Sequence, residues 1–372
     1  MCFWNKITDF KNLPGLICWG IREIVLYLLY YQKVTKTVSK VDWKYRGDGV
    51  EEIKKEPTLI LNTERVYLSI GESYSITSNL SNTKYETSSD IVNVNGSVLT
   101  GLSVGTANLT ATSNNLTKSV EVIVTDLYTI PVINNKKEKL TCNEFTKEEE
   151  TILDEALALK IKTVGLKTRA GVVAAARFLS LEFPYRIPYF YENGRLVNYG
   201  DQDYADGEGR YYHKGLYLTE NKFSKIKSSV HGPAAWGCPL LTDTLKIKTP
   251  NGLDCSGFVS WALLNGGYDV GDVGAGINED RTDDLDDLST KMKLTEENFD
   301  ASLVKPGDLI GRYGHIGIII GKEDSTFYIA ESLDYDLHVL TMTRDEIIES
   351  DWLYIELMDD YYKKDGNLKE MW

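Results

Sequence analysis

The hydrophobic pattern of the chain changes once along its length, and this change limits the fold more than any other feature. From Glu56 to Asp126, apolar residues alternate with polar ones in short runs separated by turn residues, which is typical of β-strands. From Thr146 onward, apolar residues recur at helical spacing, as in the run that ends at Leu159. The first pattern is that of a strand and the second that of a helix, so one type of secondary structure cannot account for both segments. We therefore expect a multidomain chain in which an all-β part precedes a part that contains helices.

The composition excludes several classes of function. The chain has 372 residues with 55 acidic and 41 basic side chains, a formal charge of -14, which would repel a phosphate backbone. Its five cysteines show no paired CxxC spacing, and only four histidines are present, so no zinc site is predicted. The acidic run from Gly276 to Leu288 lacks the regular spacing of a calcium-binding EF-hand loop and is read as a solvated loop. We predict no metal, no cofactor and no nucleic-acid partner.

The N-terminal 40 residues contain an apolar run from Leu13 to Tyr31, interrupted near its middle by Arg22 and Glu23. A membrane-spanning helix needs about 20 consecutive apolar residues, and the run after the interruption is short even for a signal peptide. Two interpretations remain open for residues 1–40. The segment is either a membrane anchor or uncleaved signal, or an amphipathic helix packed on the protein.

Residues 56–126 are predicted to form a small sandwich of short strands. Apolar and polar residues alternate in two runs, one with Val66, Leu68 and Ile70 and the other with Val120, Val122 and Val124. Between these runs lies a tight-turn dipeptide, Asn95-Gly96. The segment from Leu68 to Asn115 resembles the bacterial immunoglobulin-like domain of group 2, including its Ser88-Ser89-Asp90 and Gly101–Thr106 stretches. That resemblance implies adhesion or spacing at a cell surface, and we expect a passive spacer because no catalytic constellation is visible in the segment.

A charged linker, residues 127–145, separates these strands from the helices. Thr146 and Glu149 have the spacing of a capping box at the start of the first helix. A second helix is predicted to begin near Thr168 and to end at Pro184. The chain from Pro184 to Pro250 is rich in tyrosine and glycine and is predicted to be irregular, with short strands.

The stretch GLDCSGFVSW places a cysteine at the start of a predicted helix. Asp254 can cap this helix, so Cys255 falls in its first turn. Unpaired backbone N–H groups and the positive end of the helix dipole would lower the thiol pKa, and the same groups can face an oxyanion. The alternative is a buried structural cysteine.

A histidine suited to act as base lies in VKPGDLIGRYGHIGIIIG. His315 opens an alternating strand and shares one face with Gly317 and Gly321, while Ile316, Ile318 and Ile320 lie on the other face. Glu331, near the end of the next strand-like run, could fix the imidazole tautomer. A core histidine and a solvated glutamate are the alternatives. His213 and His231 compete weakly as bases.

Three motifs together resemble the NlpC family of cell-wall cysteine peptidases. They are Asp254-Cys255-Ser256-Gly257-Phe258-Val259, Pro306-Gly307-Asp308-Leu309 and Gly314-His315-Ile316-Gly317-Ile318, and they occur in the order found in that family. The resemblance covers about Gly232 to Leu357 and implies a papain-like α+β fold for residues 146–362. It also implies catalysis by Cys255, His315 and Glu331, with substrate contacts from Asp254, Ser256 and Trp236.

The chain departs from the family at two positions. Ala234 stands where the family commonly has a tyrosine associated with the oxyanion, and Glu331 lies where a histidine is frequent. A carboxylate at the latter position also occurs among related amidases. Neither departure removes the nucleophile or the base.

The resemblance implies an extracellular or surface-located peptidoglycan hydrolase whose partners are stem peptides. Its expected bond lies between D-glutamate and the diamino acid. Two alternatives are kept: an N-acetylmuramoyl-L-alanine amidase with the same catalytic residues, and an adhesin or wall-binding protein that has lost activity.

Overall fold

The structure of the protein is a computed structural model. It describes residues 42–46, 49–53, 57–133, 138–141, 143–189, 214–216, 218, 236, 252–271, 273–274 and 289–368. The chain divides into two units, Met1–Thr58 and Leu59–Trp372. The described part of the first unit is an antiparallel hairpin of β1 (Asp42–Arg46) and β2 (Gly49–Ile53). The apolar run predicted as an anchor or amphipathic helix lies outside the described residues, and no helix within them is long and apolar enough to cross a membrane.

Two small sheets at the start of the second unit share one hydrophobic core. The strands are β3 (Arg65–Ser69), β4 (Ser73–Ser75), β5 (Lys84–Glu86), β6 (Val92–Asn95), β7 (Val98–Gly101), β8 (Gly105–Ser113) and β9 (Leu116–Thr125). One sheet has the order β3-β9-β8-β5 and the other β4-β7-β6. Val66, Leu68, Val120, Val122 and Val124 are all buried in the shared core. The predicted strand pattern of this segment is therefore confirmed.

The alternation of buried side chains does not continue to Ile70, which is 50% exposed. The reason is local, because β3 ends at Ser69 and Gly71 turns the chain with a φ of +84°. The predicted tight turn is present but lies one residue later than Asn95-Gly96: Asn95 pairs with Val98, so Gly96, with a φ of +62°, and Ser97 form the two-residue loop.

The helical part begins with α1 (Lys147–Val164) and α2 (Arg169–Arg177), and a π-helical turn, Phe178–Glu182, continues α2. The predicted capping box is present: the N–H of Glu149 donates to the Thr146 hydroxyl, and the N–H of Thr146 donates to the Glu149 carboxylate. The next described helix is α3 (Cys255–Gly266), which ends at Gly267 in a left-handed conformation. All twelve residues of α3 are buried. This helix is a central element of the core and not a surface element.

A six-stranded antiparallel sheet lies against these helices. Its order is β10-β15-β11-β12-β13-β14. The strands are β10 (Thr290–Lys293), β11 (Leu309–Arg312), β12 (His315–Glu323), β13 (Thr326–Leu333), β14 (Asp336–Thr343) and β15 (Tyr354–Leu357). The remaining short helices are a 3₁₀ turn, Ala301–Leu303, with α4 (Arg344–Glu349) and α5 (Asp359–Tyr362). The second unit thus combines β-sheets with helices in a mixed α+β fold.

The two faces of the large sheet pack into different cores. Ile316, Ile318 and Ile320 join the core that contains α2 and α3. Ile319 and Ile329 lie in a second core on the other face. Neighbouring strand residues point to opposite faces, so Ile316 faces α3, while His315 alternates with it and lies at the first position of β12, the end of the strand beside the start of α3.

The turn before β11 is fixed to α2 by a buried ion pair. Arg169 is fully buried, and its guanidinium donates to the Asp308 carboxylate at 2.6 Å and to the Pro306 carbonyl at 3.1 Å. Asp308 in turn accepts from the N–H of Met358 at 2.9 Å. The Pro306-Gly307-Asp308 motif therefore acts as a structural anchor that sets the position of the strand leading to His315.

The small sandwich also contacts α1 through charged groups. Lys160 of α1 pairs with Glu72 of the sandwich and, at 2.9 Å, with Glu182. The Tyr67 hydroxyl donates to Glu155 of α1. Burial would lower the pKa of Lys160, but the two carboxylates raise it above its usual value, so the amine stays charged. These contacts hold the sandwich against α1.

Candidate functional site: a Cys-His-Glu cluster

Cys255 occupies the first position of α3, as the sequence predicted. The side chain of Asp254 caps this helix, accepting a hydrogen bond from the N–H of Gly257 at 2.7 Å. The thiol is free and its residue is only 5% exposed. The backbone N–H groups of Ile316, Ser256 and Cys255 itself are close enough to the sulfur to lower the thiol pKa. The sulfur therefore lies beside the strand residue that directly follows His315.

The expected low thiol pKa is wrong for this structure. Burial raises the pKa of Cys255 to about 12, and the neighbouring Asp254 carboxylate adds to the increase. The three N–H groups lower the pKa, as a helix start should, but by less than burial raises it. Cys255 is therefore a protonated thiol near neutral pH and needs a base before it can react.

His315 and Glu331 are brought together across β12 and β13. Nε2 of His315 lies 2.6 Å from Oε2 of Glu331, and both residues are buried. The imidazole also lies 5.4 Å from the ring of Trp352, with 30° between the planes. A Cβ built on Gly317 would lie 3.1 Å from the Ala330 carbonyl oxygen, so glycine allows β12 and β13 to approach closely beside Glu331.

The carboxylate determines the tautomer of His315. Burial would raise the pKa of Glu331, but hydrogen bonds from His315 and then from His338 lower it to about 2. The ionised carboxylate can only accept, so Nε2 of His315 carries a proton. In the neutral ring, the lone pair is then on Nδ1. His315 can take a proton at Nδ1 while Glu331 stabilises the cation that forms.

No protein-family model and no curated protein matches this chain. The argument for function therefore rests on the residues of the cluster and their geometry.

The structure places the three residues expected to contact substrate in supporting positions. Asp254 uses its carboxylate to cap α3, and the Ser256 hydroxyl lies 3.5 Å from the same oxygen. Trp236 is fully buried in the core that also holds Cys255. Their burial favours roles in fixing the nucleophile and packing the core over direct contact with a substrate.

One residue of the cluster was missed in the sequence. His338 lies on β14 directly opposite Glu331, and its Nε2 is 3.1 Å from Oε1 of that residue. The sequence signal that could have found His338 is the register of the β13–β14 hairpin. Leu333 pairs with Asp336 on either side of a two-residue turn that begins at Asp334. Two residues further from the turn on each strand, Glu331 pairs with His338. Glu331 thus contacts two imidazoles.

Other candidates from the sequence lie outside the described residues. They are His213, His231, Ala234, the acidic run 276–288 and the four cysteines other than Cys255. Within the described ranges, no group of three or more His, Cys, Asp and Glu side chains could hold a metal ion.

The raised thiol pKa predicts how Cys255 will react with iodoacetamide. Because the thiolate is the reactive species, the labelling rate of Cys255 should keep increasing as the pH rises above 9. Labelling at a series of pH values, followed by peptide mass mapping, measures this rate. A rate that levels off below pH 7 would show a preformed thiolate–imidazolium pair and would contradict the protonated resting state.

Proposed function

We propose that the protein is a peptidoglycan hydrolase that cleaves stem peptides by a Cys-His-Glu mechanism. The observation that carries the proposal is the 2.6 Å contact between His315 and Glu331. It lies beside the thiol of Cys255, whose pKa the backbone N–H of the next residue, Ile316, lowers. A nucleophile at a helix start, a base with a free ring nitrogen and a carboxylate that fixes the base are the parts that covalent acyl transfer requires.

The reaction proceeds in two halves. Nδ1 of His315 takes the thiol proton as the sulfur of Cys255 attacks the peptide carbonyl carbon, and Glu331 stabilises the imidazolium. The C–N bond then breaks, His315 gives the proton to the leaving amine, and an acyl thioester remains on Cys255. A water molecule gives a proton to Nδ1 as its oxygen attacks the thioester, and that proton returns to the sulfur when the acid product leaves.

The fold is compatible with this assignment. A helix that starts with the nucleophile packs against an antiparallel sheet that carries the histidine, which is the arrangement that a papain-like peptidase of the NlpC family would have. The two-sheet sandwich before it suits a bacterial immunoglobulin-like domain of group 2. Both resemblances support an extracellular or surface location, with the N-terminal segment as a possible membrane anchor.

The bond that we propose is the one between D-glutamate and the diamino acid, which the resemblance to the NlpC family favours. A second candidate is the bond between N-acetylmuramic acid and L-alanine. Glu331 favours this amidase activity, because a carboxylate as the third catalytic group also occurs among related amidases.

Product analysis tests the proposal and distinguishes the two bonds. Purified peptidoglycan is incubated with wild-type protein or with Cys255→Ser, and the soluble products are identified by mass spectrometry. We expect wild-type protein alone to release fragments with a new N-terminal diamino acid. Intact stem peptides that begin with L-alanine would assign the amidase bond instead. No release from walls or from soluble muropeptides would favour the non-catalytic wall-binding protein.

A further inference from the structure

Glu331 divides its two oxygens between two histidines. Oε2 lies 2.6 Å from Nε2 of His315, and Oε1 lies 3.1 Å from Nε2 of His338. The mechanism above uses His315 and leaves His338 without a role. His338 differs from His315 in exposure, because 36% of its side chain is exposed against 5% for His315. Solvent protons therefore reach the outer imidazole.

The contacts of His338 indicate its charge. Its Nδ1 lies 3.1 Å from the backbone carbonyl oxygen of Asp336, which can only accept, and its Nε2 faces the ionised Glu331 carboxylate. Both ring nitrogens therefore face acceptors, an arrangement that favours the imidazolium form of the ring. The hydrogen bond to Glu331 raises the pKa of His338. Among the described residues, the other charges near it are the Asp336 carboxylate at 3.5 Å and Arg186, which pairs with Asp336 at 3.0 Å.

We propose that His338 is a positioning residue that sets the basicity of His315 through the shared carboxylate of Glu331. The inference rests on the proposed function, since it concerns the base of that reaction. A cation on Oε1 draws part of the negative charge of Glu331 away from Oε2. His315 then receives less stabilisation when it becomes an imidazolium, and its Nδ1 is a weaker base than it would be beside an undivided carboxylate.

Two substitutions distinguish this role from a structural one. His338→Gln keeps a hydrogen-bond donor but removes the charge, and His338→Lys keeps a positive charge. We expect the NMR titration midpoint of His315 to lie at higher pH in His338→Gln than in the wild-type protein, because the substitution removes a positive charge that opposes protonation of His315. It should stay within about 0.3 unit of wild type in His338→Lys.

The measurement is an NMR titration of the full chain labelled with ¹⁵N-histidine, in which His315→Gln assigns the His315 signals. The acid limb of the pH profile of kcat/KM on a soluble muropeptide should move in the same direction as the NMR value. A shift of the same sign and size in both variants, or no shift in either, would overturn the proposal. The NMR titration needs no substrate. A protein that cleaves no muropeptide but shows the predicted pKa order would refute the proposed function and leave the coupling between the histidines intact.

Discussion

Cys255→Ser is expected to lower kcat/KM for a soluble muropeptide by about 10⁴-fold or more. The hydroxyl that replaces the thiol has nearly the same size, but it is a much weaker acid and a weaker nucleophile. The substitution should leave the thermal unfolding midpoint almost unchanged, because the buried hydroxyl can accept from the same backbone N–H groups as the thiol. Hydrolysis rates and thermal unfolding of the two proteins measure both effects.

The matched control is Cys142→Ser, the same chemical change outside the three motifs. It should retain the hydrolysis rate of the wild-type protein. Cys255→Ser with more than a tenth of wild-type activity would mean that another group carries out the attack.

Glu331→Gln is expected to reduce kcat by about 10² to 10⁴-fold. Glutamine keeps the size of the side chain, but it removes the negative charge that stabilises the imidazolium of His315 and can present its amide N–H₂ to the ring. The wrong tautomer of His315 would then be favoured. Kinetics on a soluble muropeptide measure the loss, and an increase in KM of the same size with unchanged kcat would assign Glu331 to substrate binding instead.

The same substitution should change how stability depends on pH. The pKa of Glu331 is lowered to about 2 in the folded protein, so its ionisation stabilises the fold above its ordinary pKa of 4.5, and this stabilisation is lost as the pH falls from about 4.5 towards 2. The free energy of unfolding should fall by about 3 kcal/mol over this pH range, because one pKa unit corresponds to about 1.4 kcal/mol. Denaturant unfolding at several pH values should show this loss in wild-type protein and not in Glu331→Gln.

The local elements of the site could be predicted from the sequence because short-range signals determine them. Asp254 before an apolar run at helical spacing predicted the start of α3, and the alternation after His315 predicted β12. The proximity of His315 and Glu331 followed from two consecutive strands that pair in an antiparallel hairpin. These features depend on residues that are neighbours along the chain or across one turn.

Features that depend on packing between distant segments could not be predicted in this way. The thiol pKa was misjudged because the helix start is visible in the sequence, whereas the burial of Cys255 between α3 and the sheet is not. Lys160 of α1 pairs with Glu72 of the sandwich and with Glu182, and no short-range pattern in the sequence signals these contacts. Both outcomes arise from tertiary contacts between segments far apart in the chain.

Covalent trapping tests the central claim, that Cys255 is a nucleophile activated by His315, most directly. A stem-peptide analogue with an electrophilic ketone at the scissile carbonyl is incubated with wild-type protein, Cys255→Ser and His315→Gln, and the adduct is located by peptide mass mapping. The account predicts one adduct on the sulfur of Cys255, no adduct in Cys255→Ser and much slower trapping in His315→Gln. A wild-type protein that hydrolyses the parent stem peptide while the analogue attaches to another residue, or to none, would contradict it.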